Sequence, residues 1–160
     1  KADMLSKAGQ DLIYSLMTTL NKAARDAMVK YDVHACTDVT GFGLIGHTYE
    51  MASGSDTEIT LNVNDIDLIP EALELARMGI LPAGMYRNRT YAEHAVDAGD
   101  TELAKQDMLY DPQTAGGLLI AVAEKDADAL MNDLRGAVPS AQRIGYVSEY
   151  QGGARIKLAH

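Results

Sequence analysis

His34, Cys36 and Asp38 alternate along the segment Val33 to Val39, and alternate residues of an extended strand project from one face. Three side chains suited to proton transfer, thiol chemistry or metal ligation therefore share a side. Asp38 comes last, just before Thr40-Gly41-Phe42-Gly43, a glycine-rich turn leading into a helix that ends near Ser53-Gly54. Unpaired N–H groups at a helix start, together with the helix dipole, attract phosphate. A carboxylate beside such a place points to a bridging cation, and Mg2+ is commonly held by one or two protein carboxylates together with substrate phosphates. In that reading Asp38 supplies one ligand and the rest come from elsewhere. A second reading stays open on spacing alone, in which Asp38 and Thr40 cap the helix through their side-chain oxygens.

The neighbouring motifs are weighed in the same way. Cys36 beside His34 suggests a thiol nucleophile, but a cysteine in an apolar strand is ordinarily a small buried core residue, and His34 is expected at the core or edge. His47 and His94 lack a second His or Cys at ligand spacing, so packing or capping is expected of them. Gly41-Phe42-Gly43-Leu44-Ile45-Gly46 fits the G-x-G-x-x-G pattern, with Asp65 further on. A dinucleotide-binding strand is normally apolar up to its first glycine, whereas here Thr37 and Asp38 intervene and the aspartate would repel a pyrophosphate. A nicotinamide site is therefore kept only as a minor alternative. A second loop, Asp111-Pro112-Gln113-Thr114-Ala115-Gly116-Gly117, runs straight into an apolar strand. Its small residues permit close approach of a ligand or another loop, and Gln113 and Thr114 offer donors and acceptors. A Pro-initiated turn feeding a strand is the plainer alternative.

Hydrophobic periodicity supplies the frame. Apolar residues at three- and four-residue steps from Asp11 to Tyr31 predict one amphipathic helix. A strand over Val33 to Val39 and the helix after the glycine turn follow. Ile59, Leu61 and Val63 alternate with polar residues as a half-buried strand does. Pro70 suits the first turn of a helix through Met78, with Gly79 just past its end. From Leu81 to Tyr110 the pattern predicts short helices around 91–98 and 101–105, with Gly84, Arg87, Asn88 and Arg89 in a polar loop. A strand over Gly117 to Ala123 is followed by a helix with Ala127, Leu130, Met131 and Leu134 inward and Gly136 as its stop. Strands over 143–149 and 154–158 are expected to form a hairpin through Gln151-Gly152-Gly153. These elements predict an α+β domain, an α/β sandwich with one mixed sheet flanked by helices.

The chain has 160 residues, 47% of them hydrophobic and 23% charged, enough for one packed domain. Its 14 basic residues are scattered against 23 acidic ones, for a net charge of −9. That balance argues against a nucleic-acid or anionic-membrane surface, which needs clustered Lys and Arg. Nucleotides stay open as ligands, because a metal ion and backbone N–H groups hold phosphate without basic side chains. The single cysteine, Cys36, cannot form an intrachain disulfide, so a reducing, cytoplasmic compartment is expected. The longest apolar run, Leu118 to Ala123, is far below the ~20 residues of a membrane span, and no signal-peptide core opens the chain. Without an initiator Met, the chain reads as part of something longer.

The segment His34-Ala35-Cys36-Thr37-Asp38-Val39-Thr40-Gly41-Phe42-Gly43-Leu44-Ile45-Gly46-His47, taken with Asp111 to Leu119, resembles the C-terminal domain of the selenophosphate synthetase (selenide, water dikinase) family. That family lies within the aminoimidazole ribonucleotide synthetase superfamily. Leu20-Asn21-Lys22-Ala23-Ala24 and Tyr86-Arg87-Asn88 look like the same family, so the resemblance runs over the whole chain. It implies a reaction in which ATP, selenide and water give selenophosphate, AMP and phosphate, with Mg2+ at the triphosphate. Asp38 matches the family's metal-binding aspartate of this domain. Thr37, Thr40, Gly41 and Gly43 would line the phosphate end, and Asp111, Gln113, Thr114, Gly116 and Gly117 would lie near the site. Residues 1–160 would then be the C-terminal domain of a two-domain enzyme. The half bearing the reactive Cys or selenocysteine, an essential Lys and further metal-binding aspartates is absent from this chain. Cys36 is not that cysteine, and no catalytic residue is assigned here. Ala115 stands where the family often has Ser. With that half absent, one aspartate cannot make the multi-metal cage, so this chain by itself is expected to be inactive and to bind Mg·ATP weakly if at all; the family dimerises chiefly through the missing half. Another superfamily ligase, or a non-catalytic nucleotide-binding module, is the alternative.

Overall fold

The computed structural model describes residues 4–160. Seven helices and six strands follow one another within it: α1 (Lys7–Thr18), α2 (Lys22–Met28), β1 (Val33–Asp38), α3 (Gly43–Gly54), β2 (Thr57–Asn62), α4 (Pro70–Arg77), α5 (Ala83–Ala92), β3 (Val96–Asp97), α6 (Leu103–Leu109), β4 (Leu118–Val122), α7 (Glu124–Ala137), β5 (Gly145–Glu149) and β6 (Ile156–Ala159). The α+β class is as expected, but the strands form two sheets where one was predicted. An antiparallel ribbon pairs β1 with β4, and a four-stranded mixed sheet has the order β3-β6-β2-β5.

The predicted hairpin of the last two strands is corrected by this order. β2 lies between them, antiparallel to β5 and parallel to β6. The glycine turn at Gly152 and Gly153, both at positive φ, therefore spans the end of β2 instead of closing a hairpin through Gln151-Gly152-Gly153. Gly145 makes this possible: a Cβ there would overlap the Thr60 carbonyl of β2.

The predicted helix from Asp11 to Tyr31 divides into α1 and α2. Thr18 Oγ1 donates to the Tyr14 carbonyl and Thr19 Oγ1 to the Ser15 carbonyl, each at 2.7 Å. Such back-bonding competes with the helical ladder in the last turn. Asn21 then turns away to donate to the Gly116 carbonyl at 3.0 Å. The segment expected as a polar loop around Gly84 to Arg89 is α5. Its buried residues Met85, Asn88 and Ala92 hold a helical stripe, but Asn88 is polar, which hides the stripe from hydropathy. A 3₁₀ turn over Glu93–Ala95 and the short β3 replace the rest of the helix expected to 98.

Two apolar clusters hold these layers. Ile45, Leu61, Met85, Leu109 and Ile156 centre the larger one, between α3, α5, α6 and the four-stranded sheet. Ala24, Ala27, Leu130 and Leu134 join α2 to α7 with Leu118, Ile120 and Val122 of β4 against them. The ribbon is thus fixed on one strand by helices, and β1 is carried to its place by pairing with β4.

Candidate functional site: two stapled glycine loops

Along β1, His34, Cys36 and Asp38 are exposed, and the residues between them are half-buried, as the alternation predicts. Cys36 is therefore not the buried core residue its type suggests. Cys36 stands opposite Ile120 and Asp38 opposite Leu118 in the ribbon. Partial burial of the sulfur pushes the Cys36 thiol up, and Asp38 adds to this by repelling a thiolate. A thiol held in its neutral form is a poor nucleophile, so this strand is not built for thiol chemistry. His34 is also exposed, with Nε2 3.8 Å from the Asp32 carboxylate.

Among the described residues nothing donates to the Asp38 carboxylate, and Thr37 Oγ1 reaches only the Asp38 carbonyl, at 3.3 Å. The capping reading is thereby overturned. Helix α3 begins at Phe42–Gly43 with no side-chain cap, and Thr40 instead pairs with His47. Gly43 N–H donates to the Thr40 carbonyl at 3.0 Å, and the N–H groups that follow it in the first turn have no side-chain acceptor at the cap.

The two loops singled out in the sequence meet here. Val39 N–H donates to the Gly117 carbonyl at 2.9 Å, Gly116 N–H to the Val39 carbonyl at 2.9 Å, and Gln113 N–H to the Thr40 carbonyl at 3.0 Å. Gly116 has no room for a side chain, because a Cβ there would overlap the Val39 carbonyl. Gly43 has φ +72° and would place a Cβ 2.8 Å from the Asp111 carbonyl oxygen. Gly41 and Gly117, by contrast, face open space. The loop Asp111 to Gly117 is therefore a packed partner of the first loop and not a free turn.

Buried Asn88 was missed as a part of this assembly. Its Nδ2 donates to the Gly41 carbonyl at 2.8 Å and to the Tyr110 carbonyl at 2.9 Å, joining the two loops through α5. Arg89 next to it pairs with Asp107 and lies 4.7 Å over the Tyr110 ring. The signal available was the apolar spacing of Met85 and Ala92 around an amide side chain. His47 is buried, as expected of a packing histidine, and Phe42 and Tyr91 stack at 5.4 Å beside it.

Asp111 is half-buried, and burial pushes its carboxyl up. Gln113 is half-buried, and Thr114 is exposed at the loop tip. No three of the described His, Cys, Asp and Glu residues converge as a metal cluster. A hard divalent cation nevertheless fits Asp38 as one oxygen ligand, since the carboxylate is exposed, free of donors among the described residues and close in sequence to the uncapped start of α3. The G-x-G-x-x-G reading fails on topology, because β1 pairs antiparallel with β4 and the dinucleotide unit requires a parallel βαβ crossover. A cavity of about 900 Å³ lined by Ile59, Leu61, Leu119, Ala121 and Met131 lies apart from Asp38, Gly43 and Asp111. Its walls are largely apolar, with His34 and Gly117 at their edge.

The AIR synthase related protein, C-terminal domain, family matches residues 2–157. A selenide, water dikinase of Treponema denticola is 45% identical over 138 residues, covering 86% of this chain and 39% of that protein. One from Clostridioides difficile is 45% identical over 150 residues, covering 92% and 43%. One from Clostridium botulinum is 43% identical over 148 residues, again covering 92% and 43%. The chain spans about two fifths of the length of these curated relatives.

Proposed function

The chain belongs to the family of AIR synthase related protein C-terminal domains, and from that premise we propose that it is the C-terminal domain of a selenophosphate synthetase. The reaction is the conversion of ATP, selenide and water to selenophosphate, AMP and phosphate. The observation that carries this reading is the exposed, unpartnered Asp38 carboxylate at the end of β1, fixed beside the start of α3 by the stapled second loop.

Asp38 would hold one Mg2+, and the ion, when bound, neutralises phosphate charge that otherwise repels an anionic selenium nucleophile. Around it, the uncapped N–H groups at the start of α3 would bind phosphate oxygens, and Gly41 leaves the backbone open to them. Thr37 and Thr40 border that phosphate end. Gln113, Gly116 and Gly117 set the position of the first loop through backbone bonds, and Asp111 and Thr114 are carried near the site on the same loop. The reactive Cys or selenocysteine, the Lys and the remaining metal ligands belong to an N-terminal half, which also forms the homodimer.

A surface suited to such a neighbour is present. Leu12, Tyr14, Leu16, Met17 and Leu20 are all at least 40% exposed along and just after α1. That helix is tied to the rest through Ser6, whose backbone N–H donates to Glu71 at 2.8 Å. No described helix is long and apolar enough to cross a membrane, and a cytoplasmic site of action is part of this proposal.

The test is anaerobic phosphorus NMR on the full-length enzyme with ATP, Mg2+ and selenide. Wild type is expected to give selenophosphate and AMP. Asp38→Asn is expected to lose this by roughly 10³-fold, since several kcal/mol of charge stabilisation go with the ligand, while its unfolding midpoint stays that of wild type. ATP left intact by folded wild-type enzyme would overturn the assignment.

A further inference from the structure

Beneath the first glycine loop lies a hydrogen-bond chain that the proposed reaction has not yet used. His47, on the second turn of α3, is 7% exposed. Its Nε2 is 3.2 Å from Thr40 Oγ1, and its Nδ1 is 3.0 Å from Glu50 Oε2. The Phe42 ring meets the imidazole edge-on at a centroid distance of 5.6 Å, covering it on the loop side.

The proton positions follow from what each group is able to do. An ionised carboxylate only accepts, so Nδ1 must carry the proton that it shares with Glu50. A neutral imidazole then has a bare Nε2, which only accepts, and the Thr40 hydroxyl has to donate to it. With the imidazole neutral, the single proton of Thr40 is turned toward His47, and the remaining lone pairs of its oxygen can only accept. A phosphate oxygen, itself an acceptor, finds no donor there.

We propose that Glu50 and His47 are positioning residues that make Thr40 an acceptor, so that it serves the cation or a metal-bound water and not the phosphate oxygens. The proposal rests on the reading of this loop as a Mg2+–phosphate site and revises the part of Thr40 within it. Phosphate is left to the uncapped backbone N–H groups at the start of α3.

Two measurements test it separately. In the ¹⁵N-labelled chain, in mildly alkaline buffer where imidazoles are neutral, long-range proton–nitrogen spectra identify which ring nitrogen carries the proton. His47, assigned by its loss in His47→Gln, is expected to be protonated at Nδ1 with Nε2 bare, and Glu50→Ala is expected to abolish that preference. Protonation at Nε2 in the wild type would overturn the proposal. In the full-length enzyme, Thr40→Val is expected to raise the Mg2+ concentration for half-maximal ATP consumption about tenfold, as for loss of a hydrogen bond to a charged group. Thr40→Ser should restore the wild-type Mg2+ requirement. A Thr40→Val enzyme with an unchanged Mg2+ requirement, or one that Thr40→Ser does not rescue, would overturn the acceptor role. Wild-type enzyme that leaves ATP intact would instead sink the dikinase reading, and the ring-nitrogen result would still decide the hydrogen-bond chain.

Discussion

Around the four-stranded sheet, Ile45, Leu61, Met85 and Ile156 are at most 1% exposed and pack on one another. At the loop pair, Asp38, Gly41, Phe42, Thr114 and Gly117 are all exposed, and the backbone is fixed by hydrogen bonds and by glycines that permit close approach. The first region derives its stability from apolar area removed from water. The second derives its shape from polar groups satisfying one another at short range. A carboxylate can stand unpartnered in the second because nothing in the first depends on it. Placement of Asp38 and stability of the fold are therefore separable, and substitutions in the two regions should differ in kind.

The largest stability loss is expected in the sheet. Leu61→Ala should cost about 2–5 kcal/mol by urea unfolding, through lost transfer energy and the cavity left behind. Gly43→Ala should come next, at roughly 2–3 kcal/mol, because a Cβ at φ +72° meets the Tyr110–Asp111 backbone at 2.8 Å. Unlike Leu61→Ala, it should separate the two loops, visible as loss of hydrogen-exchange protection at Gly116 N–H. Asn88→Ala is expected to cost about 1–3 kcal/mol, since two carbonyls lose their common donor. Equal protection of the loop amides in wild type and this variant would blur the contrast between the regions.

The smallest effect has the opposite sign. Burial raises the Asp111 carboxyl in the folded chain, so between its unfolded and folded pKa values the native state holds more proton than the unfolded state. Stability from this group is present at low pH and is lost as pH rises from the ordinary carboxylate range through the folded value. Asp111→Asn should remove that slope and raise the melting temperature at neutral pH by about 1–3 °C. A lowered melting temperature would show that the charge has a stabilising partner.

How much of this was readable beforehand differs between the same two regions. The alternation in β1, the glycine turn and the second loop are local patterns, and each was in view as a set of adjacent residues. The strand order was not, because β5 and β6 are each compatible with a hairpin until β2 is placed between them by long-range pairing. The stapling was also hidden, since it runs through backbone N–H and C=O groups that every residue carries. Asn88 shows the cost of reading polarity as exposure: an amide that satisfies two buried carbonyls belongs to the interior although its hydropathy places it outside. Thr18 and Thr19 likewise ended a helix whose apolar spacing continued past them.

The placement of Asp38 is tested most directly by a crystal structure of the full-length enzyme with Mn2+ and a non-hydrolysable ATP analogue, read from anomalous scattering. An anomalous peak roughly 2.0–2.3 Å from the Asp38 carboxylate, with phosphate oxygens at the N–H groups following Gly43, is the predicted result. Metal bound only to residues outside this domain, with Asp38 left in solvent and the glycine loop free of phosphate, would contradict it.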